Sequence, residues 1–364
     1  MSLTIEQKDV VKKIIKGISS NQITTLGGYA GTGKSTIIKV ILQIMDKKGF
    51  NFVPCAYTGK AANVLRKKGM GKADTIHGTI YQAYTNDQQE VFWELKSKTS
   101  FDQEKINGFI VDEASMVSKE IHEDLKSYGL PIIYVGDHGQ LEPIGGANFN
   151  LMAEPMYTLE QVHRNAGEIA FFANHLRNGN VAEKFDGGNK VKLVTNSAVK
   201  STHLSEVDQV ICAFNKTRVE LNERVRVEKK IQYAYIARGE KIICLRNNKK
   251  LGLFNGMQGI VKKVLKDEKF TFVSDGILYE KIPYIPDQFG QASNQFKFSE
   301  TANPFDYGYA ITCHKAQGDE WNNVIVYEQP CDKWDHTRWS YTAASRAKFE
   351  LVWVQSARFT PDYL

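Results

Sequence analysis

No apolar run in this chain approaches the roughly 20 residues needed to cross a bilayer. The nearest, IIKVILQIM, is interrupted by Lys39. The opening MSLTIEQKDVVKKI lacks the apolar centre of a secretion signal and reads as a helix capped by Thr4. Cysteine is scarce. Cys55, Cys212, Cys244, Cys313 and Cys331 are scattered and never in C-x-x-C spacing, which argues for a reducing compartment and against a structural zinc. The eight histidines form no H-E-x-x-H pattern. There is no repeat of fixed period and no low-complexity tract. These absences leave a cytoplasmic globular protein as the expectation, without a membrane role. The 364 residues suffice for two or three domains, and 42% hydrophobic with 24% charged residues is ordinary composition. A net charge of +6 suits a polyanionic partner but does not demand one. The clusters Arg66-Lys67-Lys68, Lys229-Lys230 and Lys249-Lys250 read as solvated faces.

The first half alternates short apolar runs with helical stretches. Gln22–Leu26 reads as a strand leading to a glycine-rich turn, and Lys34–Lys47 as the helix that the turn opens. Phe52–Tyr57, Gly108–Val111 and Pro131–Val135 are further short runs, each ending in polar residues. Chemistry at the carboxyl ends of buried parallel strands is the habit of open α/β sheets. Between Tyr81 and Ile106, IYQAYT and VFWEL flank Asn86–Gln89 and read as an inserted hairpin. The α/β pattern resumes at Asp208–Phe214, followed by a helix through Lys229. From about Tyr233 to Asn303, the runs KIICL, GIVKKVL and KFTFV are separated by turn signals about every ten residues, the texture of a small β-barrel. Strands return at Tyr309–Thr312, Val324–Tyr327 and Glu350–Val354.

The turn Gly28-Tyr29-Ala30-Gly31-Thr32-Gly33-Lys34-Ser35 fits the P-loop pattern. Its backbone N–H groups and the helix N-terminus form an anion site. Lys34 is the candidate for the β- and γ-phosphates, and Ser35 for Mg²⁺. Thr36, at the edge of the cradle, reads as a first-turn helix residue. Asp112 ends an apolar run and suits an acid that holds Mg²⁺ directly or through water; Glu113 beside it is placed to orient and deprotonate water. Gln140 in VGDHGQLEP can bond a γ-phosphate oxygen or that water. Arg164 in VHRNAGEI and Arg346 in YTAASRAK stand far downstream, with no second P-loop near them. Such arginines neutralise charge on a transferred phosphoryl group. Arg177 and Arg218 lack comparable contexts and read as structural.

The ordered set GYAGTGKS, AYTGKAA, DTIHG, VDEASMV, VGDHGQLEP, HRN, YAITCHKAQGDEW and YTAASRAK resembles superfamily 1 DNA helicases of the RecD-like branch, close to the small phage Dda helicases. The resemblance runs from about residue 4 to 347. It implies two RecA-like P-loop domains with parallel sheets, the first over 1–155 and the second over 156–364. A β-hairpin at about 78–106 is inserted in the first, and an SH3-like β-barrel at about 231–303 in the second. Gln7 in LTIEQ then matches the residue that reads adenine. Glu320 matches the acid near the nucleotide ribose, with Gly318 counted to the same site. Thr58, Lys60, His77, Asn215, Thr312, His314 and Lys315 match segments facing single-stranded DNA; small polar groups at strand ends bond phosphates without reading bases. Phe92 or Trp93 in the hairpin would meet the duplex junction, since neighbours on a strand point to opposite sides. Glu142 stands where the family motif has a proline, and Ala344-Ser345 where it has threonine.

The resulting expectation is a monomeric helicase that uses ATP and Mg²⁺, travels 5′-to-3′ on single-stranded DNA and opens forked duplex, alone or with replication or recombination proteins. A DNA-stimulated translocase that does not unwind would share every ATP-site residue. A small-molecule kinase would have no use for AITCHKAQG.

Overall fold

The computed structural model describes residues 3–18, 22–71, 73–85, 91–142, 149–162, 167–232, 235–248, 251–293, 301–332 and 334–356; for 60, 83–85 and 91–93 the description is of backbone alone. Arg164 therefore lies outside the described residues, as do the tip of the expected hairpin and the side chains of Lys60, Phe92 and Trp93. The chain forms two compact units, Met1–Asn174 and His175–Leu364. Both are α/β with parallel sheets.

In chain order the first unit contains α1 (Ile5–Gly17), β1 (Ile23–Gly28), α2 (Lys34–Lys47), β2 (Asn51–Ala56), α3 (Gly59–Lys67), β3 (Asp74–Thr75), α4 (Ile76–Ile80), β4 (Tyr81–Thr85), β5 (Val91–Leu95), α5 (Lys98–Gln103), β6 (Ile106–Asp112), α6 (Lys119–Ser127), β7 (Ile132–Gly136) and β8 (Tyr157–Leu159). Its sheet has the order β3-β2-β6-β7-β1-β8 and is parallel throughout. β1, β6 and β7 are buried along nearly all of their length because both faces are covered; the apolar runs are Phe109–Val111 and Ile132–Val135, while β1 buries Thr24 and Thr25 as well. α1 begins with a reciprocal cap: Gln7 N donates to Thr4 Oγ1 and Thr4 N donates to Gln7 Oε1. α2 buries Ile37, Ile38, Ile41 and Met45, a helical spacing that turns one stripe to the sheet. Among the described residues β4 and β5 pair only with each other, Tyr81 opposite Leu95 through Thr85 opposite Val91.

Gly108 shows how tightly this unit is packed. It lies opposite Phe52 across β2 and β6, and a Cβ there would stand 2.4 Å from the Phe52 ring. Gly108→Ala should cost about 1–3 kcal/mol through overpacking. Urea unfolding followed by circular dichroism would show it as a lower midpoint; an unchanged midpoint would mean that the ring can move aside freely.

The helix α7 (Gly167–Arg177) contains the division between the units. The second unit follows with β9 (Val191–Thr195), α8 (Ser201–Glu206), β10 (Gln209–Cys212), α9 (Asn215–Glu228), β11 (Lys241–Cys244), β12 (Gln258–Val264), β13 (Lys269–Ser274), β14 (Ile277–Pro283), β15 (Phe305–Tyr307), β16 (Ala310–Thr312), β17 (Trp321–Tyr327), α10 (His336–Ala344) and β18 (Ala347–Gln355). The parallel sheet has the order β16-β10-β17-β18-β9. Between α9 and β16 the chain leaves it and builds an antiparallel sheet, β14-β13-β12-β11-β15. Asp275 and Gly276 both take positive φ, 48° and 81°, and join β13 to β14 by the two-residue turn whose twist matches that of strands. Phe270, Phe272 and Phe305 are fully buried and meet edge to face, which ties β15 to β13.

Arg218 is fastened here. It pairs with buried Asp306 and donates to Gln291 O at 2.6 Å. Arg226 similarly donates to buried Glu240 at 2.8 Å. These are bolts between α9 and the antiparallel sheet.

Candidate nucleotide site and nucleic-acid interface

Three strand ends of the first sheet supply the candidate nucleotide site. The P-loop leaves β1, Asp112 ends β6, and Asp137 follows β7. Gly31 and Gly33 take positive φ, 81° and 89°, which glycine adopts without a Cβ clash. At Gly28 a Cβ would lie 2.7 Å from Thr32 Oγ1 and 3.1 Å from Lys34 Cγ, so only glycine keeps the loop this tight. Thr32 is buried; its hydroxyl donates to Tyr29 O at 2.8 Å, and Gln7 Nε2 donates to Thr32 O at 3.0 Å. Gln7 thus ties α1 to the loop from a position 5% exposed.

Lys34 Nζ donates to Gly28 O at 2.7 Å and to Tyr29 O at 3.1 Å, and lies 3.6 Å from Asp137 Oδ2. Its ammonium is folded over the loop's own carbonyls, the place that phosphate oxygens would contest. Asp137 is almost fully buried and also accepts from Gly139 N and Gln140 Nε2 at 3.0 and 3.2 Å. Gln140 is buried beside it. Gly136-Asp137 stands out in the sequence as a polar strand end able to do chemistry, without a role; its contacts with Lys34 and Gln140 supply one. The ring of Tyr29 meets His138 at 4.1 Å between centroids.

Ser35 and Thr36 occupy the first turn of α2, and Thr36 N donates to Gly33 O at 2.9 Å. Asp112 Oδ1 accepts from Glu113 N at 3.0 Å. Glu113 has φ 54°, ψ 40°, a left-handed conformation rare outside glycine and asparagine. Holding it there costs on the order of 1–3 kcal/mol, a kind of strain that collects at working sites. Ser35 and Asp112 offer a hydroxyl and a carboxylate, the hard oxygen donors that Mg²⁺ takes. Among the described residues no cluster of three or more His, Cys, Asp or Glu could cage a metal. A hydroxyl and a carboxylate fit a metal that completes its shell from phosphates and water.

In the second unit the strands β10 and β16 are neighbours, and their carboxyl ends bring Asn215 and Thr312 to one edge. Asn215 opens α9, and its Oδ1 accepts from Arg218 Nε at 3.2 Å. His314 and Lys315 lie in the turn after β16. Burial lowers the pKa of both side chains. Lys315 Nζ donates to Asn255 Oδ1 at 2.5 Å, which links this turn to the antiparallel sheet. Phe214 and Trp334 approach each other at 5.4 Å, with His314 6.2 Å from Trp334. These two aromatics were missed from sequence, because nothing local to them marks their meeting with His314. Thr58 caps α3 by accepting from Ala61 N at 3.1 Å, and His77 stacks on Tyr81 at 5.3 Å.

Arg346 is only 4% exposed. Nε donates to Thr342 O, Nη1 to Asp319 O and Nη2 to Ser345 Oγ, at 2.9, 3.1 and 2.8 Å. The guanidinium is clamped between the end of α10 and the turn before β17. Gly318, with φ 78°, shapes that turn. Glu320 is exposed and pairs with Lys348 at 3.1 Å. Glu142, which replaces a proline, accepts from Asn150 Nδ2 at 3.3 Å.

No helix among the described residues is long and apolar enough to cross a membrane. The AAA domain family matches residues 2–199, and the UvrD-like helicase C-terminal domain matches 307–354. The conjugal transfer protein TraA of Rhizobium radiobacter is 27% identical over 362 residues, covering 89% of this chain and 30% of that protein. The ATP-dependent RecD2 DNA helicase of Deinococcus radiodurans is 26% identical, with 96% and 50% covered. The ATP-dependent DNA helicase dda of Enterobacteria phage T4 is 29% identical, with 49% and 43% covered. The chain thus spans half or less of the length of these relatives. In fold it is similar to a Pif1 helicase described in DNA unwinding at forked duplex, with TM-score 0.61, 20% identity and 98% and 92% covered. Bacteroides Pif1 bound to single-stranded DNA gives TM-score 0.58 at 19% identity, with the same coverage. With more than half of its length matched by one family and a helicase domain matched near its other end, the chain belongs to the AAA domain family, among superfamily 1 helicases of the RecD-like and Dda-like kind.

Proposed function

We propose that this chain is an ATP-driven motor that travels 5′-to-3′ along single-stranded DNA and separates duplex at a fork. The observation that carries the reading is a division of labour. One parallel-sheet unit holds a complete phosphate cradle with its acids, and the other holds a clamped arginine in YTAASRAK without any P-loop of its own. Relatives named as DNA helicases support it, as does the likeness in fold to Pif1 helicases bound to single-stranded and forked DNA.

In this reading Lys34 turns from the carbonyls of Gly28 and Tyr29 to the β- and γ-phosphates. Glu113 aligns the attacking water and takes its proton, and Gln140 holds that water or a γ-oxygen. Arg346, with Arg164, stabilises the charge that develops on the transferred phosphoryl group. Mg²⁺, when bound with the nucleotide, neutralises phosphate charge; Ser35 and Asp112 are the residues that would hold it. Gln7, Gly318 and Glu320 flank the base and ribose. Domain closure with ATP and opening after hydrolysis then ratchet the strand past Thr58, Lys60, His77, Asn215, Thr312, His314 and Lys315. We read the β4–β5 pair as the wedge and the antiparallel sheet as an SH3-like barrel that carries Asn255 to the DNA path. Binding is then sequence-tolerant and salt-sensitive, since phosphate contacts and stacking supply it.

Two matched duplexes, one with a 5′ single-stranded tail and one with a 3′ tail, test the reading in the presence of ATP and Mg²⁺. Unwinding from the 5′ tail alone is expected. Unwinding from the 3′ tail alone would overturn the polarity. No unwinding, with ATPase still stimulated by DNA, would reduce the chain to a translocase.

A further inference from the structure

The basic run Arg66-Lys67-Lys68 is exposed, as expected of a solvated face, and two of its cations also have partners. Arg66 Nη1 donates to Ala73 O at 2.7 Å. Lys68 Nζ donates to Ser35 Oγ at 2.9 Å, across 33 residues of sequence. That hydroxyl is the one placed to ligate the metal of a bound nucleotide.

The backbone that delivers Lys68 is firmly set. α3 ends in a Schellman motif: Gly69 takes φ 77°, Gly69 N donates to Arg66 O at 2.9 Å, and Met70 N donates to Leu65 O at 3.1 Å. Leu65 and Met70 are buried beneath the turn, which fixes the Cα of Lys68 at the helix end. Gly69 also brings this turn close to α2, since a Cβ on it would come within 3.9 Å of Lys39 Nζ. Only the flexible stem of Lys68 remains to be placed, and it ends on Ser35.

We propose that Lys68 is a resident counter-cation of the nucleotide site, holding Ser35 Oγ while no nucleotide is bound and competing with Mg²⁺ for it. The proposal rests on the ATP-site reading above. A metal at the usual distance of about 2.1 Å from that oxygen would lie within about 5 Å of an ammonium that stays at 2.9 Å. A single charge and a double charge of the same sign repel at that range. Lys68 must therefore leave as the metal arrives, and Mg²⁺ affinity carries the cost of the broken bond. The ammonium also keeps positive potential over the loop when the metal is absent, which favours nucleotide without metal.

The test is equilibrium binding of fluorescent ADP to the full chain, titrated with Mg²⁺ and repeated in EDTA. Lys68→Met should lower the Mg²⁺ concentration for half-maximal enhancement by about three- to tenfold, the worth of one hydrogen bond. In EDTA the same variant should bind ADP no better than the parent. Lys68→Arg, which keeps the charge, should stay near the parent. In a Ser35→Ala background the effect of Lys68→Met should vanish, because the shared oxygen is gone. An unchanged Mg²⁺ midpoint in Lys68→Met would overturn the proposal. Weaker ADP binding with and without Mg²⁺ would also overturn it and make Lys68 a phosphate ligand instead. A parent chain that binds no ADP at all would remove the ATP-site reading itself.

Discussion

Replacing Arg346 with alanine is expected to lower ATP turnover by about 10³-fold or more while nucleotide affinity stays within a few-fold of the parent. Three of the five guanidinium N–H groups are spent on Thr342 O, Asp319 O and Ser345 Oγ. One hydrogen on each Nη is left over from these three bonds. Two carbonyls and a hydroxyl hold the group without cancelling its charge. A finger fixed in this way costs little reorganisation when phosphoryl charge develops, which is what makes electrostatic stabilisation effective. The same clamping gives Arg346 a structural share, so the alanine variant needs a melting curve beside its kinetics. Arg346→Lys separates the two contributions. It keeps the charge but loses the fork, and should retain a small part of the turnover with near-normal melting. An alanine variant that folds and hydrolyses ATP at the parent rate would sink the two-unit motor.

Lys34→Ala is expected to remove measurable hydrolysis, a loss of at least about 10²–10³, since one preorganised charge at the phosphates disappears. This variant should also weaken nucleotide binding, in contrast to Arg346→Ala. The nucleotide-free chain should melt at a lower temperature as well. Lys34 bridges the loop carbonyls to Asp137, a carboxylate 1% exposed that would lose its nearby cation. Fluorescent-nucleotide titration, steady-state ATPase and thermal melting together read all three effects. Turnover above about a tenth of the parent would mean that another cation does the work of Lys34.

These variants act on a site whose local half was legible in the sequence. The P-loop is eight consecutive residues between a strand and a helix; Gly31 and Gly33 are required by φ values, and Gly28 by a close approach, all set within the loop itself. The alternation of apolar runs likewise announced an α/β fold, because strands buried on both faces are mostly apolar. The strand β14 was harder to see. Its residues are mostly exposed and carry Glu280 and Lys281, so it joins an antiparallel sheet without an apolar signature. Other assignments were hidden because they depend on residues far apart. Nothing near Lys68 announces Ser35, nor anything near Arg218 its buried partner Asp306.

By itself, then, the sequence determined the family, the α/β class, the phosphate cradle and the acids at its strand ends, because each is encoded within a few neighbouring residues. Only the tertiary structure decided where the long cations rest: Lys34 on the loop carbonyls beside Asp137, Lys68 on Ser35, Arg346 on the carbonyls of Thr342 and Asp319. A lysine or arginine side chain is flexible and reaches several ångströms, so its partner is chosen by whatever acceptor the packed chain brings within range.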